Sequence, residues 1–180
     1  MKQIRIHGRG GQGVVTAAEL IAIAAFEDGK ETQAFPSFGV ERTGAPIESF
    51  ARIDDQPIKT REHIYKPDVL IVLDSSLIGT IDITKGADKN TVIIINSSKA
   101  KNEFKLDLAE QNIYIVDATK IAMEIIGKNI VNTTILGAFA KATNLISLES
   151  LKKAVSQKFK EKGEDIISKN LRAVEKSFNS

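Results

Sequence analysis

Three glycines spaced as Gly8-x-Gly10-x-x-Gly13 stand where a short alternating strand, Gln3-Ile4-Arg5-Ile6-His7, gives way to an apolar run from Val14 to Phe26. Strand, turn and helix in that order are what a phosphate-binding turn requires. Glycine opens backbone angles closed to other residues and lets the chain approach an anion closely. The first amides of the following helix, and the positive end of its dipole, then face the bound charge. Gly11 makes the turn more permissive still. The same spacing also describes a plain tight turn, and the residues alone leave both readings open. A nicotinamide site would add a carboxylate about 20 residues on, at the end of the second strand. Glu31 has that spacing but precedes the expected strand Thr32–Phe35, whose end, Ala34-Phe35-Pro36-Ser37, carries no acid.

The second group is the loop from Pro36 to Pro46. It is too rich in glycine for a helix and too apolar for an idle loop. It leaves the second strand at the edge where open α/β sheets bind ligands. Arg42 is suited to pair with a phosphate, Glu41 to orient it, and Ser37 to donate a hydroxyl hydrogen bond. The competing reading is a surface loop with a local Glu–Arg pair worth under about 1 kcal/mol. His7 adjoins the turn, but a packed strand-end histidine is the simpler account of it.

The elements that must carry these groups follow from patterning. Ile47 to Ile53 alternates apolar and polar side chains, as a half-exposed antiparallel strand does, with a hairpin-like exit through Asp54-Asp55-Gln56 into Pro57-Ile58. Val69–Leu73, Val92–Ile95 and Ile113–Val116 are continuous apolar runs, each stopping at a helix-start signal: Asp74, Asn96 and Asp117. Helices are expected over 118–126, 132–142, 148–159 and 164–178. The fold expected is a single Rossmann-like α/β domain over residues 1–180. It has three layers, α/β/α, and a mainly parallel sheet with an antiparallel strand or hairpin near 47–59. Between Val14 and Phe26 only Thr16 and Glu19 are polar. That helix should be buried on two sides, by the sheet and by either a partner chain or the folded-back C-terminal helices.

Composition bounds the function. The chain has 180 residues, 42% hydrophobic and 27% charged, with a formal net charge of +2. These are values of an ordinary globular domain. There are no cysteines, which excludes disulfides, thiolate metal sites and cluster ligation by this chain, and the 2 histidines argue against a histidine-rich metal site. The C-terminal lysines are interleaved with Glu161, Glu164, Asp165 and Glu175, a solvated helix face rather than a nucleic-acid surface. No apolar run has the length of a membrane span and the N-terminus lacks an apolar leader, so a cytoplasmic location is expected.

Two segments, GRGGQGVVTAAELIA and QAFPSFGVERTGAPIESFARID, with PDVLIVLD and NTTILGAFAK further on, resemble the gamma subunit of the 2-oxoacid:ferredoxin oxidoreductases. The PSFG-x-ER-x-GAP stretch is most similar to the pyruvate member. The resemblance implies a multi-subunit enzyme that converts pyruvate and coenzyme A (CoA) to acetyl-CoA and CO2 and passes electrons to ferredoxin. It implies thiamine diphosphate and [4Fe–4S] clusters on the alpha, beta and delta partners, and no catalytic residue here. It further implies CoA contacts at Gly10, Gly11, Gln12, Gly13, Ser37 and Arg42. The alternatives are a gamma subunit for 2-oxoisovalerate or 2-oxoglutarate, a free-standing nucleotide-binding module, and a purely structural subunit.

Overall fold

The computed structural model describes residues 1–37 and 43–180. Six strands and five helices follow in the order β1 (Lys2–Arg9), α1 (Val14–Glu27), β2 (Glu31–Pro36), β3 (Pro46–Asp54), β4 (Val69–Val72), β5 (Val92–Asn96), β6 (Ile113–Val116), α2 (Ala118–Ile125), α3 (Val131–Thr143), α4 (Leu148–Lys158) and α5 (Glu164–Phe178). They form one sheet in the order β2-β3-β1-β4-β5-β6. β4 runs parallel to β1, and β5 and β6 continue that direction. β3 is the antiparallel strand, paired with both β1 and β2. The antiparallel strand is where it was expected, but its hairpin partner is β2 before it rather than residues 57–59 after it, which lie outside the strands.

Alternation on β1 separates two layers. Ile4 and Ile6 join the core that contains α1, α3, α4 and α5. Val69 and Ile71 of β4 point into that core, whereas Leu70 and Val72 join a second cluster with Leu77, Ile83, Ile93 and Ile95. Burial on both faces explains the unbroken apolar run of β4. The second layer departs from expectation. No α-helix follows β4 or β5, and all five helices lie on the other face. Asp74 caps only a 3-10 turn, Ser75–Leu77, accepting the Ser76 amide at 3.0 Å. Gly79 and the β-branched Ile78, Thr80, Ile81 and Ile83 then disfavour helix. Asn96 does not start a helix of its own either. Its amide donates to the Leu73 carbonyl at 2.9 Å, and its Oδ1 accepts the Thr119 amide at 3.1 Å, so it braces the start of α2.

The irregular layer is tied down by a buried cation. Arg5, 5% exposed, donates from its guanidinium to the carbonyls of Ile64 (3.2 Å), Ile83 (2.9 Å) and Lys85 (2.7 Å). Burial pushes its pKa down, opposed by the charges of Glu48 and Asp82. Beside it, the Arg52 guanidinium lies 5.1 Å from the Phe35 ring and reaches the Glu62 carbonyl.

The apolar helix α1 is covered on its second side by α4. Lys158 pairs with Glu19 at 2.7 Å. Asp28, just past the end of α1, accepts the Ser147 amide (2.6 Å) and the hydroxyls of Ser147 (2.8 Å) and Ser150 (2.6 Å) at the start of α4. The C-terminal helices thus occupy the place in which a partner chain was the alternative. α5 lies so close on α3 that a Cβ at Gly137 would strike the Val174 carbonyl.

Removing the Arg5 cation leaves buried carbonyls without their donor. Arg5→Met should lower the stability of the chain by about 2–4 kcal/mol, read from denaturant midpoints by circular dichroism. Unchanged midpoints would show that the carbonyls find water instead.

Candidate functional site

The glycine turn stands at the carboxyl ends of the parallel strands, where β1 and β4 are adjacent and their connections leave in opposite directions across the sheet. Such a point is where open α/β sheets receive ligands. Gly11 and Gly13 take positive φ, 93° and 75°. Gly13 is also the N-terminal boundary of α1, which has no side-chain cap. The amides of the first turn of α1 therefore lack intrahelical acceptors. The Gly11 and Gly13 amides likewise have no acceptor among the described residues.

The other turn residues are engaged differently. Gly10 extends the strand: its amide donates to the Ala45 carbonyl at 2.9 Å, and its carbonyl accepts the Gly44 amide at 3.1 Å. Its backbone N–H is thus spent on the returning loop. Gln12 folds inward. Its Oε1 accepts the Arg9 amide at 2.8 Å and its Nε2 donates to Asp74 Oδ2 at 3.1 Å. Gln12 therefore shapes the turn with both ends of its side chain. Partial burial pushes the Asp74 carboxyl up, but hydrogen bonds from Ser76 and Gln12 and the charge of Arg9 outweigh it and hold it below the usual carboxylate range.

Ser37 ends β2, its amide donating to the Glu48 carbonyl at 3.0 Å. Because β3 lies between β2 and β1, Ser37 is two strand spacings from β1, roughly 10 Å. It reaches the same edge as the turn. Arg42 and Glu41, the charged residues of the loop, lie outside the described residues. Glu31, the acid at nicotinamide-type spacing, pairs with Asp54 at the opposite end of β2.

Next to the turn is a cleft of about 560 Å³ over the ends of β4, β5 and β6, lined among others by Gln12, Asp74, Asn96, Lys99, Thr119 and Val131. The starts of α1, α2 and α3 converge there. Asn132, in the first turn of α3, packs so tightly on Gly13 that no Cβ fits between them. None of the cleft residues beyond Gln12 was marked as a site residue by the sequence. The available signal was the polar residue ending each apolar strand, which reads equally well as a helix cap. A larger hollow, about 960 Å³, lies at the opposite edge beside Lys2, Asp68 and the C-terminal end of α3. That end of a helix dipole is negative and repels anions, and Lys2 is already paired with Asp68 at 3.2 Å.

His7 is fully buried, and its Nε2 accepts from Arg5 Nε at 3.1 Å. Burial, then the Arg5 charge, push the imidazole down to about 3. It is neutral at physiological pH, with its proton on Nδ1, which faces Glu48 at 3.5 Å. It is a packing group rather than a base. No group of three or more potential ligand side chains stands close enough to hold a metal among the described residues.

The family model described as pyruvate ferredoxin/flavodoxin oxidoreductase matches residues 3–180. The pyruvate/ketoisovalerate oxidoreductases common subunit gamma of Thermococcus kodakarensis is 52% identical over 181 residues, covering 99% of this chain and 96% of the relative. Pyruvate synthase subunit PorC of Methanosarcina barkeri is 53% identical over 155 residues, 86% of this chain and 85% of that one. The crystal structure of pyruvate oxidoreductase subunit PORC from Thermotoga maritima superposes with a TM-score of 0.85 at 34% identity, covering 99% of this chain and 96% of that chain.

Two outcomes follow from the turn and its neighbour. Gly11→Ala meets open space and carries only the strain of its φ, about 1 kcal/mol. Gly13→Ala must also displace Asn132 and should cost about 2–4 kcal/mol. Equal losses in paired denaturation curves would contradict the close packing. The depressed His7 pKa fixes a pH dependence as well. Below the ordinary value of 6.5 the unfolded chain binds a proton that the fold refuses until about 3. Stability is therefore full above that ordinary value and falls as pH drops through the interval, by up to ~1.4 kcal/mol per pH unit. His7→Gln should flatten that slope, measured by denaturant midpoints at neutral and mildly acid pH.

Proposed function

Since this chain belongs to the pyruvate ferredoxin/flavodoxin oxidoreductase family, as a gamma-type subunit of that multi-subunit oxidoreductase, we propose that it supplies one wall of the CoA site in the oxidation of pyruvate to acetyl-CoA and CO2. The observation that carries this reading is the pair of amides at Gly11 and Gly13 that have no acceptor among the described residues, continuous with the first turn of α1 and beside the cleft. CoA brings a pyrophosphate and a 3′-phosphate, and such a turn suits one of them. Ser37 supplies a hydroxyl at the same edge, and Arg42, five residues on in the sequence, is the cation we infer for the phosphate. Gly10 and Gln12 serve this site through the turn's shape: the Gly10 amide is spent on Ala45, and the Gln12 side chain bridges Arg9 and Asp74.

The chemistry at pyruvate belongs to the partners in this reading. Thiamine diphosphate there would supply the decarboxylation chemistry, and [4Fe–4S] clusters of the alpha, beta and delta subunits would carry electrons to ferredoxin. This chain has no cysteine to hold a cluster, and its one buried imidazole is neutral and enclosed. Its contribution is to bind and orient the thiol-bearing cosubstrate and to pack against its partners. The nicotinamide reading finds no support, since β2 ends without an acid.

A gamma subunit that holds CoA has no part in choosing the 2-oxoacid. This fits the relative named as common to pyruvate and ketoisovalerate enzymes. Pyruvate is the substrate we infer, with 2-oxoisovalerate as the second reading.

Viologen reduction by the assembled enzyme tests the proposal, with pyruvate, 2-oxoisovalerate and 2-oxoglutarate compared at varied CoA. Arg42→Ala should raise the KM for CoA about tenfold, the value of one charge-assisted contact. Gly11→Asp should raise it further by placing a carboxylate where an anion binds. Unchanged CoA kinetics in both assembled variants would overturn the CoA assignment.

A further inference from the structure

Arg9 links segments that are far apart in the chain but meet at the glycine turn. Its Nε donates to Asp74 Oδ2 at 3.1 Å, at the end of β4. One terminal nitrogen donates to the Gly44 carbonyl at 3.0 Å, in the returning stem of the loop that began at Pro36. The other donates to the Ser76 hydroxyl at 2.9 Å. That hydroxyl donates in turn to Asp74 Oδ1 at 2.6 Å. The backbone of Arg9 completes the circuit: its amide donates to the Gln12 side chain, and its carbonyl accepts the Gln12 amide at 3.0 Å. Gln12 reaches the same Asp74 oxygen that Arg9 does. One carboxylate therefore anchors both the side chain that shapes the turn and the side chain that holds the loop stem.

A guanidinium is suited to this because its donors lie in one rigid plane and serve several acceptors at fixed angles, where an ammonium on a flexible stem holds one point. Without Arg9, residues 44–45 would keep, among the described residues, their paired backbone bonds with Gly10. The turn that carries the Gly11 and Gly13 amides would then lose its side-chain clamp to Gly44 and to the end of β4.

We propose that Arg9, anchored on Asp74, is a positioning residue that locks Gly44 and the end of β4 onto the glycine turn, so that the Gly11 and Gly13 amides are held to face one phosphate-bearing cosubstrate. This rests on the CoA reading of the turn. Arg9 acts through the turn in this scheme, because each of its three guanidinium nitrogens already holds a partner within the chain.

The test uses the assembled oxidoreductase carrying Arg9→Met, Asp74→Asn, both together, or Arg9→Lys. Each single change should raise the KM for CoA about tenfold, while the KM for pyruvate and the rate at saturating CoA move less than about twofold. Because both residues act through one network, the double variant should also stay near tenfold rather than reach about a hundredfold. Arg9→Lys should recover only part of the loss, since one ammonium cannot hold Asp74, Ser76 and Gly44 together. Full recovery by lysine would mean that only charge matters, and would overturn the positioning role. An unchanged KM for CoA in Arg9→Met and Asp74→Asn, beside a raised KM in Gly11→Asp, would overturn it too and leave the CoA reading standing. An unchanged KM in all three would remove the CoA reading and this proposal together. Should the methionine variant fail to assemble, the Asp74→Asn and Arg9→Lys pair carries the same comparison.

Discussion

A guanidinium buried among carbonyls, with no carboxylate in contact among the described residues, sets the terms for this molecule. Arg5 occupies the middle of β1, and the strand's two faces have opposite partners: isoleucines toward the helices, a cation toward the irregular layer. An irregular segment cannot satisfy its own backbone as a helix does. The acceptors left over by residues 64–85 are therefore collected by a donor-rich side chain reaching up from the sheet. The arrangement lets the sheet be covered on one face by five helices and on the other by turns, without orphaned carbonyls at Ile64, Ile83 or Lys85. It also fixes His7, whose Nε2 accepts from the same guanidinium; burial first, and the Arg5 charge second, keep that imidazole neutral.

The functional edge inherits its geometry from that frame. β1 and β4 end side by side, and the starts of α1, α2 and α3 meet over them. The approach of α3 to α1 is limited by the smallest possible spacer, the missing side chain of Gly13 against Asn132. A glycine read from sequence as a phosphate residue thus has a packing role of equal weight. The turn is one of the points where the helical layer is closed, so its conformation is set by the whole layer and not by local preference alone.

Much of this was legible beforehand, for physical reasons that differ by element. The buried strands announced themselves through unbroken apolar runs, and β3 through alternation. α1 stood out because a helix with so little polar surface must be covered twice. What covers it was not legible, since apolarity says that a face is buried and not by what. The polar ends of β4 and β5 misled for a related reason. Asp74 and Asn96 are good helix caps in isolation, but here Asp74 caps only a 3-10 turn and also holds Gln12, and Asn96 is spent on Leu73 and Thr119. Short-range signals cannot reveal partners that lie more than 20 residues away. The roles of Gly10 and Gln12 were blurred in the same way. The motif marks them as ligand contacts, while their hydrogen bonds run inward to residues 44–45 and 74.

The covering of α1 by α4 has a consequence for the order in which the protein is made. Residues 148–158 emerge from the ribosome after every strand and after the helices α1, α2 and α3. Until then the upper face of α1 has no native neighbour, although the sheet beneath it can already form from the first 54 residues and the strands that follow. The nascent chain thus presents an oily ridge to the cell for most of its synthesis, a state open to self-association and to chaperones. The closing step is held by polar contacts at the ends, Asp28 to Ser147 and Ser150, and Glu19 to Lys158. Late docking of the tail onto the head is what converts an aggregation-prone half-product into a subunit fit for assembly.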